Sequence, residues 1–312
     1  MKIVFLDAVT IGEDIDLSGF DQLGEVVKYP FSTSAEVPER LKDADVAIIN
    51  KISVNEATIG QAEKLKLVCV TATGTDNLDK QYLEKRGIAW RNVAGYSTES
   101  VTQHTFALLF YLLEKLRYYD DYVKNDHYTN DTIFTHFAEH FYELNGKVWG
   151  IIGLGSIGRR VADIAKAFGA KVIYASPSGG APQEGYHQVS MDTLLADSDI
   201  ISVHTPLNSY TENLIDRNAF AKMKKSCIFL NLGRGPIVVE KDLADALDAG
   251  EIAAAGLDVL CAEPMSEQNP LRRIKDSKKL LITPHIAWAS VEARTRLMDI
   301  ILGQIKDFLA LE

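Results

Sequence analysis

Short runs of aliphatic and β-branched residues recur along the chain, each followed by a stretch of mixed polar and apolar residues. The runs Lys2–Asp7, Glu25–Tyr29, Val46–Asn50, Leu67–Thr71 and Ile88–Asn92 predict a first set of strands. A second set is predicted at Val148–Gly153, Lys171–Tyr174, Ile200–His204, Ile228–Leu232, Ala255–Val259 and Leu280–Thr283. Many of these runs are apolar throughout instead of alternating, as in parallel strands buried on both faces. Strand and helix alternate. The expected class is therefore α/β, with two doubly wound parallel-sheet domains.

Between the two sets lies Val101–Tyr119, predicted as one helix. Its stretch Phe106–Leu113 is apolar all round. A helix with no polar face is buried on every side, here at a domain or subunit junction. It is too short, and too charged at its end, to span a bilayer. The segment Asn125–Tyr142 is aromatic and polar without a period and is expected to be irregular.

The 312 residues exceed one ordinary core and suit two domains of roughly 150 residues. The net charge of −10 argues against a nucleic-acid or anionic-membrane partner, either of which would want a basic face. A small anionic substrate stays open, because one local Arg outweighs a distant average. The first apolar run, Ile3–Leu6, is too short for a signal sequence or a span. Cys69, Cys227 and Cys261 show no paired spacing, which predicts reduced thiols in a cytoplasmic protein. Cys69 and Cys227 fall in apolar runs and are expected in the core. Cys and His show no metal-ligand spacing, so no metal is expected.

Gly153-Leu154-Gly155-Ser156-Ile157-Gly158 follows a predicted strand and opens a predicted helix at Ile157–Phe168. In that setting the glycines permit a tight turn, close approach of a pyrophosphate and close helix–strand contact. The helix start adds N–H donors and partial positive charge. This is the signature of a Rossmann dinucleotide-binding domain. The acid that favours NAD should end the next strand, about 20 residues on. Ser176 stands there instead, and no Arg or Lys between Val172 and His187 offers to hold a 2′-phosphate. Both NAD(H) and NADP(H) therefore stay open.

Polar residues close three later runs: Arg234, then Asp258 and Glu263, then His285. In a doubly wound sheet the carboxyl ends of strands line the ligand crevice. Reducing a 2-oxo acid needs a cation for the carboxylate and ketone, which the planar Arg fork offers. It needs an acid for the developing alkoxide, a role suited to His. A carboxylate such as Glu263 would orient that imidazole and favour its protonated form.

In this order Gly153–Gly158, His204–Leu207 (HTPL), Asn231–Gly235 (NLGRG), Gly256–Val259 (GLDV), Ala262–Pro264 (AEP) and Thr283–Trp288 (TPHIAW) resemble the D-isomer-specific 2-hydroxyacid dehydrogenase family. The motifs span nearly the whole chain. The resemblance implies that Arg234 holds the substrate, that Glu263 supports His285, and that His285 donates the proton. It implies that Asp258 contacts the nicotinamide carboxamide. It places Ser156, Ile157, Thr205, Pro206, Leu232 and Gly233 along the cofactor, and Val101 near the nicotinamide. The family usually carries an acid at the position of Ser176, and this departure opens the cofactor choice further.

The resemblance also implies a discontinuous first domain, residues 1–100 with about 288–312, flavodoxin-like and substrate-binding. The dinucleotide domain would be residues 101–287. Thr73 and Gly74 end a predicted strand, where their N–H groups could bind a carboxylate, and Lys51 closes another. Asn50-Lys51, Ala72-Thr73-Gly74, Ser97-Thr98 and Gln103-His104-Thr105 are similar to the glycerate dehydrogenase (hydroxypyruvate reductase) branch. Lys51 would complement a small polar acid, or simply be a solvated strand-end lysine. The expected function is hydride transfer between a nicotinamide cofactor and a small D-2-hydroxy acid/2-oxo acid pair, glycerate/hydroxypyruvate first. Two alternatives stand beside it: a dinucleotide-sensing protein like the corepressors that share this fold, and a dehydrogenase for another 2-hydroxy acid. A helix apolar on all sides also predicts a homodimer.

Overall fold

The computed structural model describes residues 1–310. Twelve strands occur among them: β1 Lys2–Phe5, β2 Glu25–Lys28, β3 Val46–Ile49, β4 Leu67–Val70, β5 Ala89–Arg91, β6 Val148–Ile152, β7 Lys171–Ala175, β8 His187–Gln188, β9 Ile200–Val203, β10 Ile228–Asn231, β11 Ala254–Leu257 and β12 Leu280–Ile282. The α-helices are α1 Val37–Leu41, α2 Glu56–Ile59, α3 Lys80–Lys85, α4 Thr98–Leu113, α5 Leu116–Lys124, α6 Ser156–Ala167, α7 Met191–Asp197, α8 Arg217–Lys222, α9 Glu240–Ala249 and α10 Val291–Ala310. The chain divides into two compact units, Met1–Ser97 with the segment from Ala289 onward, and Thr98–Trp288.

The first unit holds a five-stranded parallel sheet in the order β2-β1-β3-β4-β5. That is the flavodoxin-like winding. Strands β3 and β4 are buried at every position, which explains their uninterrupted apolar sequences. Helix α10 belongs to this unit. Its Arg294 pairs with Asp14 at 2.6 Å, and its Gln304 donates to the Asn92 carbonyl at 2.9 Å.

The second unit holds a seven-stranded parallel sheet in the order β12-β11-β10-β9-β6-β7-β8. Counted from β6, the chain winds outward one way and then returns to wind the other, the Rossmann arrangement. Alternate residues of one strand feed two different cores. Ile152 and Phe229 join one, while Ile151 and Leu230 join the other. The second core takes in Leu108, Leu109 and Leu112 of α4. Gly256 of β11 lets this helix lie close, since a Cβ there would sit 3.2 Å from the Leu108 Cβ.

Two features depart from the sequence expectation. The helix predicted at Val101–Tyr119 is two helices, α4 and α5, separated at Lys115, whose φ is +55°. It is not covered all round either. Val101, Phe106, Leu109 and Leu113 are buried, Gln103 and Ala107 are exposed, and α5 has no buried residue. The apolar stripe runs out at Leu113, and nothing in the polar stretch beyond it rewards a straight continuation. The added strand, β8, is polar and sits at the sheet edge. Only its ladder to Ile173 and Tyr174 defines it, so it lacks the apolar signature. The segment Asn125–Tyr142 contains one 3-10 turn, Tyr128–Asn130, and leaves Ile133, Phe134, Phe137, Phe141 and Tyr142 exposed. All three cysteines are free; Cys69 and Cys227 are buried and Cys261 is exposed. No helix among the described residues is long and apolar enough to cross a membrane. Among the same residues no group of three His, Cys, Asp or Glu could hold a metal.

Candidate active site

Because every strand of the second sheet is parallel, the segments after β6, β7, β9, β10, β11 and β12 all leave the same edge. Gly153, Ser176, Thr205, Arg234, Glu263 and His285 lie on those six segments.

The turn after β6 needs its glycines for different reasons. Gly153 has φ +93°, and a Cβ there would meet Thr205 at 2.8 Å. At Gly158 a Cβ would stand 2.2 Å from the Gly153 carbonyl oxygen, so this glycine lets α6 lie against the turn. Gly155 is the exception. Its backbone is ordinary (φ −78°, ψ −161°), and a Cβ there would meet nothing within 4 Å. Nor does any side chain cap α6, which starts at Ser156 directly after it. Open space beside uncapped helix N–H groups fits a dinucleotide pyrophosphate, which needs both.

Around this turn Thr205, Leu232, Gly233 and Val101 are buried, Ile157 is half-buried and Pro206 is exposed. Gly233 packs against the carbonyl of Thr205, where a Cβ would approach to 2.9 Å. The Ser176 hydroxyl donates to the Gly179 carbonyl at 2.7 Å. His204, in the HTPL segment, meets the Ser202 hydroxyl at 3.0 Å. That hydroxyl accepts from the Trp149 indole at 2.9 Å. Burial pushes His204 down to about 3, and its Nδ1 has no hydrogen-bond partner among the described residues.

Arg234 sits on a turn built by Asn231. The Asn231 side chain accepts from the Gly233 N–H at 3.1 Å and donates to the Arg234 carbonyl at 3.0 Å. The next residue, Gly235, lies so close to the next loop that a Cβ would overlap Leu260, 2.0 Å away. The Arg234 turn and the Glu263 loop are thus in contact. Glu263 Oε1 accepts from the Leu260 N–H at 2.9 Å, and Oε2 meets His285 Nδ1 at 2.7 Å. With Nδ1 held, Nε2 is the ring atom left to meet a substrate. Both side chains keep about a quarter of their surface exposed, Glu263 at 28% and His285 at 27%.

His285 occupies the left-handed region, at φ +55°, a conformation that costs a non-glycine residue free energy unless its surroundings enforce it. Asp258, 2% exposed, is the neighbour that does so. Its Oδ1 accepts from the Ile286 N–H at 2.9 Å and the Thr283 hydroxyl at 2.6 Å, and its Oδ2 accepts from the Ala287 N–H at 2.9 Å. Sequence reasoning reads Asp258 only as a cofactor contact; the geometry also makes it the anchor of the His285 loop.

Lys51, Thr73 and Gly74 lie in the first unit, away in the chain from the group above. Lys51 and Thr73 are exposed and Gly74 is half-buried. The Lys51 turn is held by a residue the sequence reading passed over. Asp7, buried at the end of β1, accepts the Asn50 N–H at 2.9 Å and the Lys51 N–H at 2.7 Å. Burial pushes the Asp7 carboxyl up, against the N–H bonds that favour its charge. Asn77 holds the other side, donating to the carbonyls of Asn50 and Ile52. An acid closing an apolar strand was the available signal for Asp7. Thr73 donates to the Val93 carbonyl at 2.9 Å.

A parallel Rossmann sheet with an open glycine turn, and a Glu–His pair beside an Arg turn on the same sheet edge, define a nicotinamide-dependent oxidoreductase. The family model "D-isomer specific 2-hydroxyacid dehydrogenase, NAD binding domain" matches residues 106–287. Hydroxypyruvate reductase of Blautia hydrogenotrophica is 37% identical over 99% of this chain and 97% of its own. Glycerate dehydrogenase of Methylorubrum extorquens is 36% identical over 99% and 96%. Among solved structures, an acyclic imino acid reductase in complex with NADPH and D-Arg aligns with TM-score 0.87 and 29% identity, over 100% of this chain and 98% of that one. The chain belongs to the D-isomer-specific 2-hydroxyacid dehydrogenase family. It is an NAD(P)-dependent enzyme acting on a small 2-hydroxy acid/2-oxo acid pair.

Proposed function

We propose that this enzyme interconverts D-glycerate and hydroxypyruvate, with glyoxylate as a smaller substrate, and that Arg234, Glu263 and His285 are its catalytic residues. The observation that carries the site assignment is the 2.7 Å pair of Glu263 and His285, on a loop in contact with the Arg234 turn. The names of the two full-length relatives support the substrate.

A nicotinamide held by the second unit would supply the hydride to carbon 2 of the 2-oxo acid. His285 Nε2 gives a proton to the carbonyl oxygen as it becomes an alkoxide, and takes it back in the oxidation. Glu263 fixes the ring through Nδ1, which leaves Nε2 as the atom that exchanges the proton. The Arg234 guanidinium neutralises the substrate carboxylate and polarises the ketone.

In this reading the first unit carries the substrate contacts Lys51, Thr73 and Gly74. The second carries the dinucleotide on Gly153, Gly155, Ser156, Ile157, Gly158, Ser176, Thr205, Pro206, Leu232, Gly233, Asp258 and Val101. Ser176 gives neither a carboxylate to repel a 2′-phosphate nor a cation to attract it, so the enzyme uses both NADH and NADPH. It acts as a cytoplasmic homodimer, paired through the second unit. The exposed Phe134, Phe137 and Phe141, and the exposed positions of α4, support that pairing. The deciding experiment gives purified enzyme NADH or NADPH and a panel of 2-oxo acids, and follows loss of nicotinamide absorbance. Hydroxypyruvate or glyoxylate should lead; far faster turnover of bulky branched 2-oxo acids would reject the substrate.

A further inference from the structure

Helix α4 grips the segment that carries His285 on both sides. The Ser100 hydroxyl donates to the Ala287 carbonyl at 2.6 Å. One turn along, half-buried His104 places Nε2 2.9 Å from the Thr283 hydroxyl oxygen. The direction of these bonds follows from the donors present. Thr283 Oγ1 lies 2.6 Å from Asp258 Oδ1, which can only accept, so the hydroxyl proton points there. Thr283 then has only lone pairs left for His104, and the Nε2 must carry a hydrogen. The chain of donors runs from His104 through Thr283 to Asp258, and Asp258 holds the Ile286 and Ala287 N–H groups. His285 lies between these anchors, at φ +55°.

We propose that His104 is a positioning residue for the proton donor. Its Nε2–H fixes the Thr283 hydroxyl, which aims the Asp258 carboxylate at the loop amides and so holds His285 in its left-handed conformation. The other groups facing His104 agree with an imidazole that acts as a single donor. Burial pushes its protonation down, opposed by Asp258, whose Oδ1 is 3.6 Å away. The inference rests on His285 being the proton donor, and it adds a residue from a helix that carries no reacting group.

The test compares His104→Leu, His104→Gln and Thr283→Val with wild type and His285→Ala. Leucine fills the space without a donor, glutamine restores an N–H near the Nε2 position, and valine replaces the hydroxyl by a methyl. His104→Leu and Thr283→Val should each lower kcat for 2-oxo acid reduction by about tenfold or more, the scale of a modest misplacement of a reacting group. Substrate KM and the NADH dissociation constant should stay within about threefold, because the glycine turn is untouched. The double variant should be no worse than either single one, since both cut the same chain. In the dinucleotide-free protein, exchange at the Ile286 and Ala287 amides should accelerate in both variants. His104→Gln should recover most of the kcat and the slow exchange. Wild-type kcat in both His104→Leu and Thr283→Val overturns the proposal, as does a His104→Gln variant that falls as far as leucine. Thr283→Val, which removes one hydroxyl and keeps the volume, decides the matter should His104→Leu fold poorly. Normal turnover in His285→Ala would instead overturn the catalytic assignment, while amide exchange would still report on the chain from His104.

Discussion

Gly155 and Gly158 stand three residues apart in one motif, and the structure assigns them opposite duties. Replacing each by alanine separates the two. At Gly155 the backbone is already in a region alanine adopts freely, and the new methyl meets nothing within 4 Å. Gly155→Ala should therefore stabilise the dinucleotide-free protein by about 0.4–1 kcal/mol, by restricting the unfolded chain. For a domain of this size that is a rise in Tm of roughly 1–4 °C. At Gly158 the methyl would stand 2.2 Å from the Gly153 carbonyl oxygen and 3.3 Å from Ile151 Cγ2. The oxygen belongs to backbone and cannot swing aside, so α6 must back away. An overpacking cost of about 1–3 kcal/mol is expected, with a matching fall in Tm. Binding should order the variants differently. The Gly155 methyl occupies the space a pyrophosphate oxygen needs to reach the first N–H groups of α6. The loss should be at least about tenfold in NADH affinity, or 1.4 kcal/mol. Thermal unfolding with and without NADH, together with a fluorescence titration, reads both quantities. If Gly155→Ala binds NADH like wild type, the pyrophosphate does not lie at this turn. If it destabilises the free protein as much as Gly158→Ala, the open space beside Gly155 is not real.

Four other outcomes follow from the proposed function. His285→Ala should lower kcat by roughly 10²–10⁴ with NADH affinity kept. Glu263→Gln should lower it less, and the double variant should match His285→Ala, since the carboxylate acts only through the ring; steady-state rates with a 2-oxo acid check all three. Ser176→Asp should raise the ratio of NADH to NADPH efficiency, and an unchanged ratio would show that Ser176 lies away from the ribose. Light scattering at micromolar concentration should give the mass of a dimer, and replacing Phe134 and Phe137 by serine should shift it toward monomer; a monomeric wild type removes the pairing.

Most of the fold could be read from the chain because parallel strands covered on both faces leave a mark that survives without context. Val46–Ile49 and Leu67–Val70 are buried at every position and apolar at every position, so burial and sequence carry the same information. The reading failed where structure rests on something other than burial. Strand β8 exists through backbone pairing with Ile173 and Tyr174 and has no apolar residue to announce it. The break at Lys115 depends on where the neighbouring core ends, and Phe106–Leu113 alone does not encode that.

The same distinction divides the site. The residues proposed to do the chemistry stand out in the chain because each is a polar side chain closing an apolar run, and the parallel sheet brings the segments that carry them to one edge. The bonds that hold those side chains in place do not, because the partners lie far off in sequence. His104 and Thr283 are 179 positions apart, Asp258 and Ala287 29, and Asp7 and Lys51 44. Bonds over such separations leave no period and no spacing. A histidine on a helix and a threonine before a proline each look ordinary until the fold sets them 2.9 Å apart. The left-handed conformation of His285 sharpens the point. A non-glycine residue is uncommon at φ +55°, so the groups around His285 must hold it there. A residue type can be read from the chain, but the strain that aims it exists only once Asp258, Thr283 and His104 have been brought together.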